Sequence, residues 1–318
     1  MNSLKYIFII FFTLFLTTTY ANSGSNKIAY IVTSEKIPFW SIMSRGINNS
    51  AKKLGYEVKI YDSKNSIKHE LELTVQAIKD GVSGIIISPN NSSSCVMVLK
   101  LAANANIPVV ISDVGTDSGE YVSYISSNNK DGAYAIGIVL ANKMKELKIN
   151  NKRVGIVAIP QNRLNGQQRT NGFMKAMEEF NIKGADLKQI QEWDEKETYN
   201  FVKSMITRYT NLGAIWIQTS NMYQGAIDAI KDSGKKDEVL LISFDAEPEF
   251  IDLIQKNVLV GSAMQQPFLM GEESMNTMHK HLIGKTVPKD IQVPILSVSI
   301  KNIKKILPII RRNVLGIK

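Results

Sequence analysis

The sequence predicts an α/β protein built from two doubly wound, parallel-sheet units, and three observations predict it. Short β-branched runs alternate with amphipathic helical patterns along most of the chain. The alternation starts afresh after Asp131, so two similar units follow one another. The chain has 318 residues, 44% hydrophobic and 21% charged, more than a single core comfortably organises.

Ahead of the alternation, Lys5 precedes an apolar run from Tyr6 to Leu16 and a small polar stretch ending Thr19-Tyr20-Ala21. Charged, apolar, then small is the order of a secretory signal peptide, so residues 1–21 are read as one, cleaved after Ala21. An uncleaved anchor is the alternative, but a bilayer takes about 20 apolar residues and this run is shorter. No cysteine lies near the cleavage point to carry a lipid. The mature chain is therefore expected in the periplasm.

Strand-like runs in the first unit are Lys27–Val32, Val58–Tyr61, Gly84–Ser88 and Pro108–Ser112. In the second they are Arg153–Ile159, Gly213–Gln218, Val239–Phe244 and Val258–Met264. Their unbroken apolar character suits strands covered on both faces of a parallel sheet. Between them, Ile67, Leu71, Val75 and Ile78 recur at helical spacing before Gly81. Ile136, Val139, Leu140 and Met144 stripe a helix from Ala135 to Leu147, and Phe173, Met177 and Phe180 a third that ends by Asn181 and Gly184. Methionines on these stripes read as core filler. Cys95, the only cysteine, reads as a small buried apolar residue, with no disulfide available.

Charge and motifs exclude several functions. The formal charge is +9, and +8 once a leader carrying only Lys5 is removed. The basic residues are scattered, as in Lys143, Lys145, Lys148, Lys152 and Arg153, and read as solvated faces. No groove-reading motif accompanies them, so no nucleic-acid partner is expected. There is no Gly-x-Gly-x-x-Gly after the first strand, no phosphate-binding loop and no Gly-x-Ser-x-Gly elbow. The three histidines, His69, His279 and His281, form no ligand cluster. No cofactor and no metal are expected.

Right-handed crossovers bring functional loops to the carboxyl ends of parallel strands. The residues there are Thr33 and Ser34 before Pro38-Phe39-Trp40; Ser88-Pro89-Asn90; Asp113; Ser126-Ser127-Asn128; Gln161; Gln218-Thr219-Ser220; Phe244-Asp245; and Gln265. Directional polar groups mixed with flat rings suit a sugar, whose hydroxyls take hydrogen bonds while its C–H faces stack on aromatics. A carboxylate accepts strong, charge-assisted bonds from hydroxyls. Each residue also has a plainer reading. Trp40 and Trp193 serve equally as core, while Asp113, Asp245, Thr219 and Ser220 serve equally as helix N-caps. Asp113 and Asp245 would suit a glycosidase pair only if one carboxyl had the raised pKa an acid catalyst needs, and the sequence shows no reason for one. The chain is therefore expected not to be an enzyme.

At these residues the sequence resembles the type I periplasmic binding proteins, the ribose-binding group especially, from about Lys27 to Ser299. The markers are Ile37-Pro38-Phe39-Trp40, Ile87-Ser88-Pro89 and Asn106-Ile107-Pro108-Val109-Val110 leading to Asp113. Further on stand Arg169-Thr170-Asn171-Gly172-Phe173, Gly225-Ala226, Phe244-Asp245 and Gln265-Gln266-Pro267.

The resemblance implies two Rossmann-like lobes with parallel sheets, joined by three hinge crossings near Asn128, Gln265 and Val298. The lobes are then residues 27–127 with 266–297, and 128–265 with 298–318. The site implied is Thr33, Phe39, Trp40, Ser88 and Asp113 from one lobe, with Arg169, Trp193, Thr219, Asp245 and Gln265 from the other lobe and hinge. Phe39 and Trp40 are expected to stack on the ligand, Asp113 to accept its hydroxyls, and Arg169 to grip oxygens while Asp245 holds the guanidinium.

Departures from the family's ribose binders bear on the ligand. Those proteins have Asp-Arg where this chain has Asp113-Val114, Asn where Ile37 stands, and Asn-Asp where Thr219-Ser220 stand. A buried polar group left unpaired costs about 1–3 kcal/mol, so ribose is expected to bind poorly. A larger or less hydroxylated sugar-like ligand is expected instead. The tail from Ile300 to Lys318, with Ile306, Ile309 and Ile310 among lysines and arginines, is expected to form a short amphipathic helix on the second lobe. The chain is expected to act as a monomer that hands its ligand to an inner-membrane ABC permease. The alternative is a ligand sensor that docks on a sensor histidine kinase or chemoreceptor; both depend on ligand-selected closure. A repressor of this fold needs an N-terminal helix-turn-helix, and a signal peptide stands in its place.

Overall fold

The computed structural model describes residues 26–317; the signal peptide expected at 1–21 lies outside the described residues. The first half of the chain reads β1 (Lys27–Val32), α1 (Pro38–Leu54), β2 (Glu57–Asp62), α2 (Ile67–Lys79), β3 (Gly84–Ser88), α3 (Ser92–Asn104), β4 (Val109–Ser112) and β5 (Ser123–Ser127). The second reads α4 (Asn129–Glu146), β6 (Arg153–Ala158), α5 (Leu164–Glu179), β7 (Gly184–Gln189), α6 (Glu195–Arg208), β8 (Leu212–Ile217), α7 (Tyr223–Asp232), β9 (Leu240–Phe244), α8 (Phe250–Gln255) and β10 (Gly261–Met264). Then come α9 (Pro267–Leu282), β11 (Asp290–Val293), β12 (Leu296–Ser299), α10 (Ile303–Ile309) and a π-helical turn at Ile310–Val314.

Two six-stranded sheets result, in the orders β11-β5-β4-β3-β1-β2 and β12-β10-β9-β8-β6-β7. Pairing is parallel throughout except between β10 and β12, which run antiparallel, so the second sheet departs from the all-parallel expectation at one edge. The central strands are buried on both faces. Ile28, Tyr30 and Val32 of β1 pack with Met43 and Ile47 of α1 and Met275 and Met278 of α9. The intervening Ala29 and Ile31 pack with Cys95, Val98 and Leu99 of α3 on the other face. Cys95 is fully buried, and burial pushes its thiol up to about 12, which makes it an inert core residue.

Helix starts follow local capping. Ser66, Asn91, Asn128 and Asp194 each accept from a backbone N–H three residues on, at the starts of α2, α3, α4 and α6. The Asn128 cap explains why α4 begins at Asn129, six residues before the apolar stripe predicts. Asp113, Asp245, Thr219 and Ser220 cap no helix: α8 starts after Glu249 and α7 after Met222.

The chain passes between the sheets three times, at Asn128, at Gln265-Gln266 and at the link Pro294-Ile295. The third passage lies earlier than the expected boundary at 297/298, because Leu296 and Ser297 already pair with Met264 and Ala263 of β10. The tail packs on the second lobe as expected, and it also reaches the first. Its apolar side chains Ile303, Ile310 and Val314 do enter the second-lobe core. Its polar groups, however, bond the first lobe: Arg45 of α1 donates to the carbonyls of Leu315 (2.8 Å) and Gly316 (3.0 Å), and Arg312 pairs with Glu272 of α9 at 2.6 Å.

Candidate ligand-binding site

The carboxyl ends of the parallel strands in both sheets face a common cleft with about 480 Å³ of empty space counted out to its mouth. The first lobe lines it with Ile37, Phe39 and Trp40 at the start of α1 and with Asp113 after β4. The second contributes Ile159, Arg163, Asn165 and Arg169 around the β6–α5 connection, Trp193 before α6, Thr219, Ser220 and Asn221 after β8, Asp245 and Glu247 after β9, and Gln265 after β10.

Asp113 sits at φ 71°, in the left-handed region, and its carboxylate oxygen Oδ2 accepts from Trp40 Nε1 at 3.2 Å. Burial pushes its carboxyl up to about 6, Arg169 pulls it back and the nearby Asp245 charge adds to the rise. Trp40 serves both readings at once: it is 6% exposed within the first-lobe core, and its indole edge reaches the cleft.

Arg169 is held through Nε, Nη1 and the face of its guanidinium. Its Nε donates to Asn129 Oδ1 (2.8 Å), and its Nη1 donates to the Gln218 carbonyl (2.7 Å) and lies 3.5 Å from Asp245 Oδ2. The guanidinium also lies over the Phe244 ring, 3.9 Å from its centre. Gln265 donates to the other Asp245 oxygen at 2.6 Å, which leaves its own buried Oε1 without a partner among the described residues. Asp245 is raised chiefly by burial, with Arg169 opposing. The expectation that neither Asp113 nor Asp245 has a raised pKa is thus overturned, since lobe packing takes both carboxyls out of water. Gln265 and Arg169 engage both Asp245 oxygens.

Trp193 stands at φ 58° in a loop fastened by Glu197, whose carboxylate accepts from the backbone N–H groups of Gln191, Glu192 and Trp193. Glu247 accepts from Ser220 at 2.7 Å, and burial raises its carboxyl.

Eight of the ten residues expected at the site line this cleft; Thr33 and Ser88 do not. Thr33 Oγ1 donates to the Ser88 carbonyl (2.8 Å) and Ser88 Oγ bonds Tyr30 at 2.9 Å, so both polar groups fasten β1 to β3 within the sheet. Their side chains are fully buried, and they support the site without reaching it. The sequence reading left out Ile159, Arg163, Asn165, Asn221 and Glu247 as contacts and counted Ile37 and Ser220 only among departures and strand ends. Each lies within a few residues of a strand end already singled out, so extending the strand-end rule through the whole connection would have found them.

The comparisons with known proteins agree with this architecture. A family model described as "Periplasmic binding protein domain" matches residues 28–286. The ribose import binding protein RbsB of Escherichia coli (strain K12) is 29% identical over 273 residues, covering 85% of this chain and 90% of that protein. The D-apiose import binding protein of Paraburkholderia graminis is 26% identical over 272 residues, 85% of each chain. A carbohydrate transporter solute binding protein from Agrobacterium radiobacter, solved with D-arabinose, superposes with a TM-score of 0.82 at 20% identity, covering 92% of this chain and 99% of that one.

Proposed function

The chain belongs to the periplasmic binding protein domain family, and on that footing we propose that it captures a small sugar-like ligand between its lobes and delivers it to an inner-membrane ABC importer. One observation carries the reading. A buried carboxylate from the first lobe, Asp113, shares a cleft with the Arg169–Asp245–Gln265 cluster of the second, between the flat rings of Phe39, Trp40 and Trp193. Carboxylates accept from hydroxyls, the unpartnered Gln265 Oε1 accepts another, and the rings take the C–H face of the sugar. Because the two sets of groups sit on different lobes, a ligand touching both favours the conformation that brings them together. The relatives that bind ribose and apiose for import support this reading.

The chain is expected to work in the periplasm, and no helix among the described residues is long and apolar enough to cross a membrane. No bond-making step is proposed. The test is a thermal-shift screen of the mature protein against pentoses, hexoses and non-sugar metabolites. At one hundred times its dissociation constant a ligand adds about 2.7 kcal/mol of stability. A panel in which no sugar raises the unfolding temperature overturns the proposal.

A further inference from the structure

Resting on that reading, we propose that the natural ligand is an acidic sugar, a polyol ring carrying a carboxylate or phosphate, whose anionic group sits at the cleft mouth against Arg163, Lys36 and Lys64. The cleft is divided by charge. Its inner part holds three carboxylates, Asp113, Asp245 and Glu247, against the one enclosed guanidinium of Arg169. A second space of about 560 Å³ adjoins it, sharing Ile37, Trp40, Arg163 and Trp193 as common walls. This outer space is lined by Lys36, Lys64 and Arg163 and by no carboxylate. Hydroxyls suit the acidic floor, whereas an anion there meets repulsion and at the mouth meets three cations.

The two arginines that line the cleft differ in how they are held. Arg169 commits Nε and Nη1 to Asn129, Gln218 and Asp245. Arg163 has no hydrogen bond or ion pair for its guanidinium among the described residues; the Trp193 ring lies 5.2 Å away and the Asp113 charge attracts it across the cleft. Trp193 in turn is held at positive φ by the Glu197 carboxylate, so the ring that positions Arg163 is itself braced. Burial depresses the Arg163 pKa, which an incoming anion would oppose. A guanidinium with its fork of donors unspent matches two oxygens of a carboxylate or phosphate.

The test compares matched neutral and anionic probes by isothermal calorimetry with the mature protein: D-glucose, D-galactose and D-ribose against the corresponding uronates and terminal phosphates. At least one anionic member is expected to bind ten or more times tighter than its neutral parent, and to weaken as salt rises while the parent does not. Uronate and phosphate arms tell which anion is meant. Arg163→Gln is expected to bring the ratio of anionic to neutral affinity toward one, and Arg163→Lys to keep most of it. The exposed pair Lys36→Gln with Lys64→Gln, which leaves the core untouched, is expected to lower the ratio several-fold. Neutral sugars binding as tightly as every anionic partner, or a ratio that survives both Arg163→Gln and the lysine pair, overturns the inference and leaves the sugar-binding reading standing. Failure of every probe, neutral and anionic, overturns both.

Discussion

Asp113 and Asp245 hold equivalent places in the two lobes. Each follows a strand, β4 or β9, that neighbours β5 or β10 in its sheet, at a left-handed φ of 71° or 66°. Each donates its backbone N–H to the neighbouring strand, Asp113 to Ile125 of β5 at 3.0 Å and Asp245 to Ala263 of β10 at 2.8 Å. A non-glycine residue in this region costs on the order of 1–2 kcal/mol, so the surrounding sheet imposes the conformation twice. The two lobes thereby set one carboxylate each on the cleft by the same device.

Asp113 makes stability and binding move oppositely with pH. Its folded pKa, about 6, lies above the ordinary 3.8, so the folded chain holds the proton more tightly than the unfolded one. The stability this contributes is full below the ordinary value and is lost as pH rises through about 6. Asp113→Asn should therefore be more stable than the parent at pH 7.5, by on the order of 2–3 kcal/mol, with the gap closing toward pH 4. Sugar affinity of the parent should fall by up to about tenfold per pH unit below 6, since the acceptor is then protonated. Urea unfolding at both pH values checks the first; a gap that does not change with pH refutes it.

Breaking the Arg169–Asp245 pair should be costly from either side. Arg169 is 3% exposed, and removing one partner strands the other charge. Arg169→Ala and Asp245→Ala are each expected to lose about 3–5 kcal/mol, and the double variant less than their sum. Both should weaken the ligand that the thermal-shift screen identifies. Unchanged affinity in both would put the site elsewhere.

Helix packing in the second lobe rests on Gly172. A Cβ there would come 2.0 Å from the Lys130 carbonyl oxygen of α4, which is backbone and cannot rotate away. Gly172→Ala is expected to destabilise by at least the 1–3 kcal/mol typical of overpacking, read as a lower unfolding midpoint.

The tail should matter for folding as well as for joining the lobes. Ile310 is fully buried in the second-lobe core, and Ile310→Ala should cost about 2–5 kcal/mol in urea unfolding. Arg45→Ala, which frees only the Leu315 and Gly316 carbonyls on a partly exposed surface, should cost about 1 kcal/mol or less. A reversed order would mean that the polar tie, not the apolar insertion, anchors the tail.

Ribose is expected to bind weakly despite the likeness to ribose import proteins. Val114, 1% exposed, offers no donor beside Asp113 where the family's ribose binders are expected to place an arginine. Tight ribose binding in calorimetry would refute this expectation.

Much of the fold was legible in the residues themselves. The β1, β3, β4, β6, β8 and β9 segments are apolar runs because both faces are covered, and burial of that kind leaves its mark on composition. β7 and β11 were not legible: they are edge strands with mostly exposed or half-exposed side chains, so their sequences carry little apolar signal. β5, Ser-Tyr-Ile-Ser-Ser, is buried by neighbours on both sides rather than by its own hydrophobicity.

For the site, the sequence alone determined the places where polar residues interrupt apolar strands: Asp113, Thr219, Asp245 and Gln265 follow from parallel topology, which sends every strand end the same way. Tertiary structure alone decided which of them share space. Whether Arg163 or Ser88 meets the cleft depends on the path of the connection after the strand, and that path is set by packing between distant elements. It likewise decided that Asp113 has a carboxyl near 6, because a pKa is raised by the water excluded around it, and that exclusion comes from residues far away in the chain.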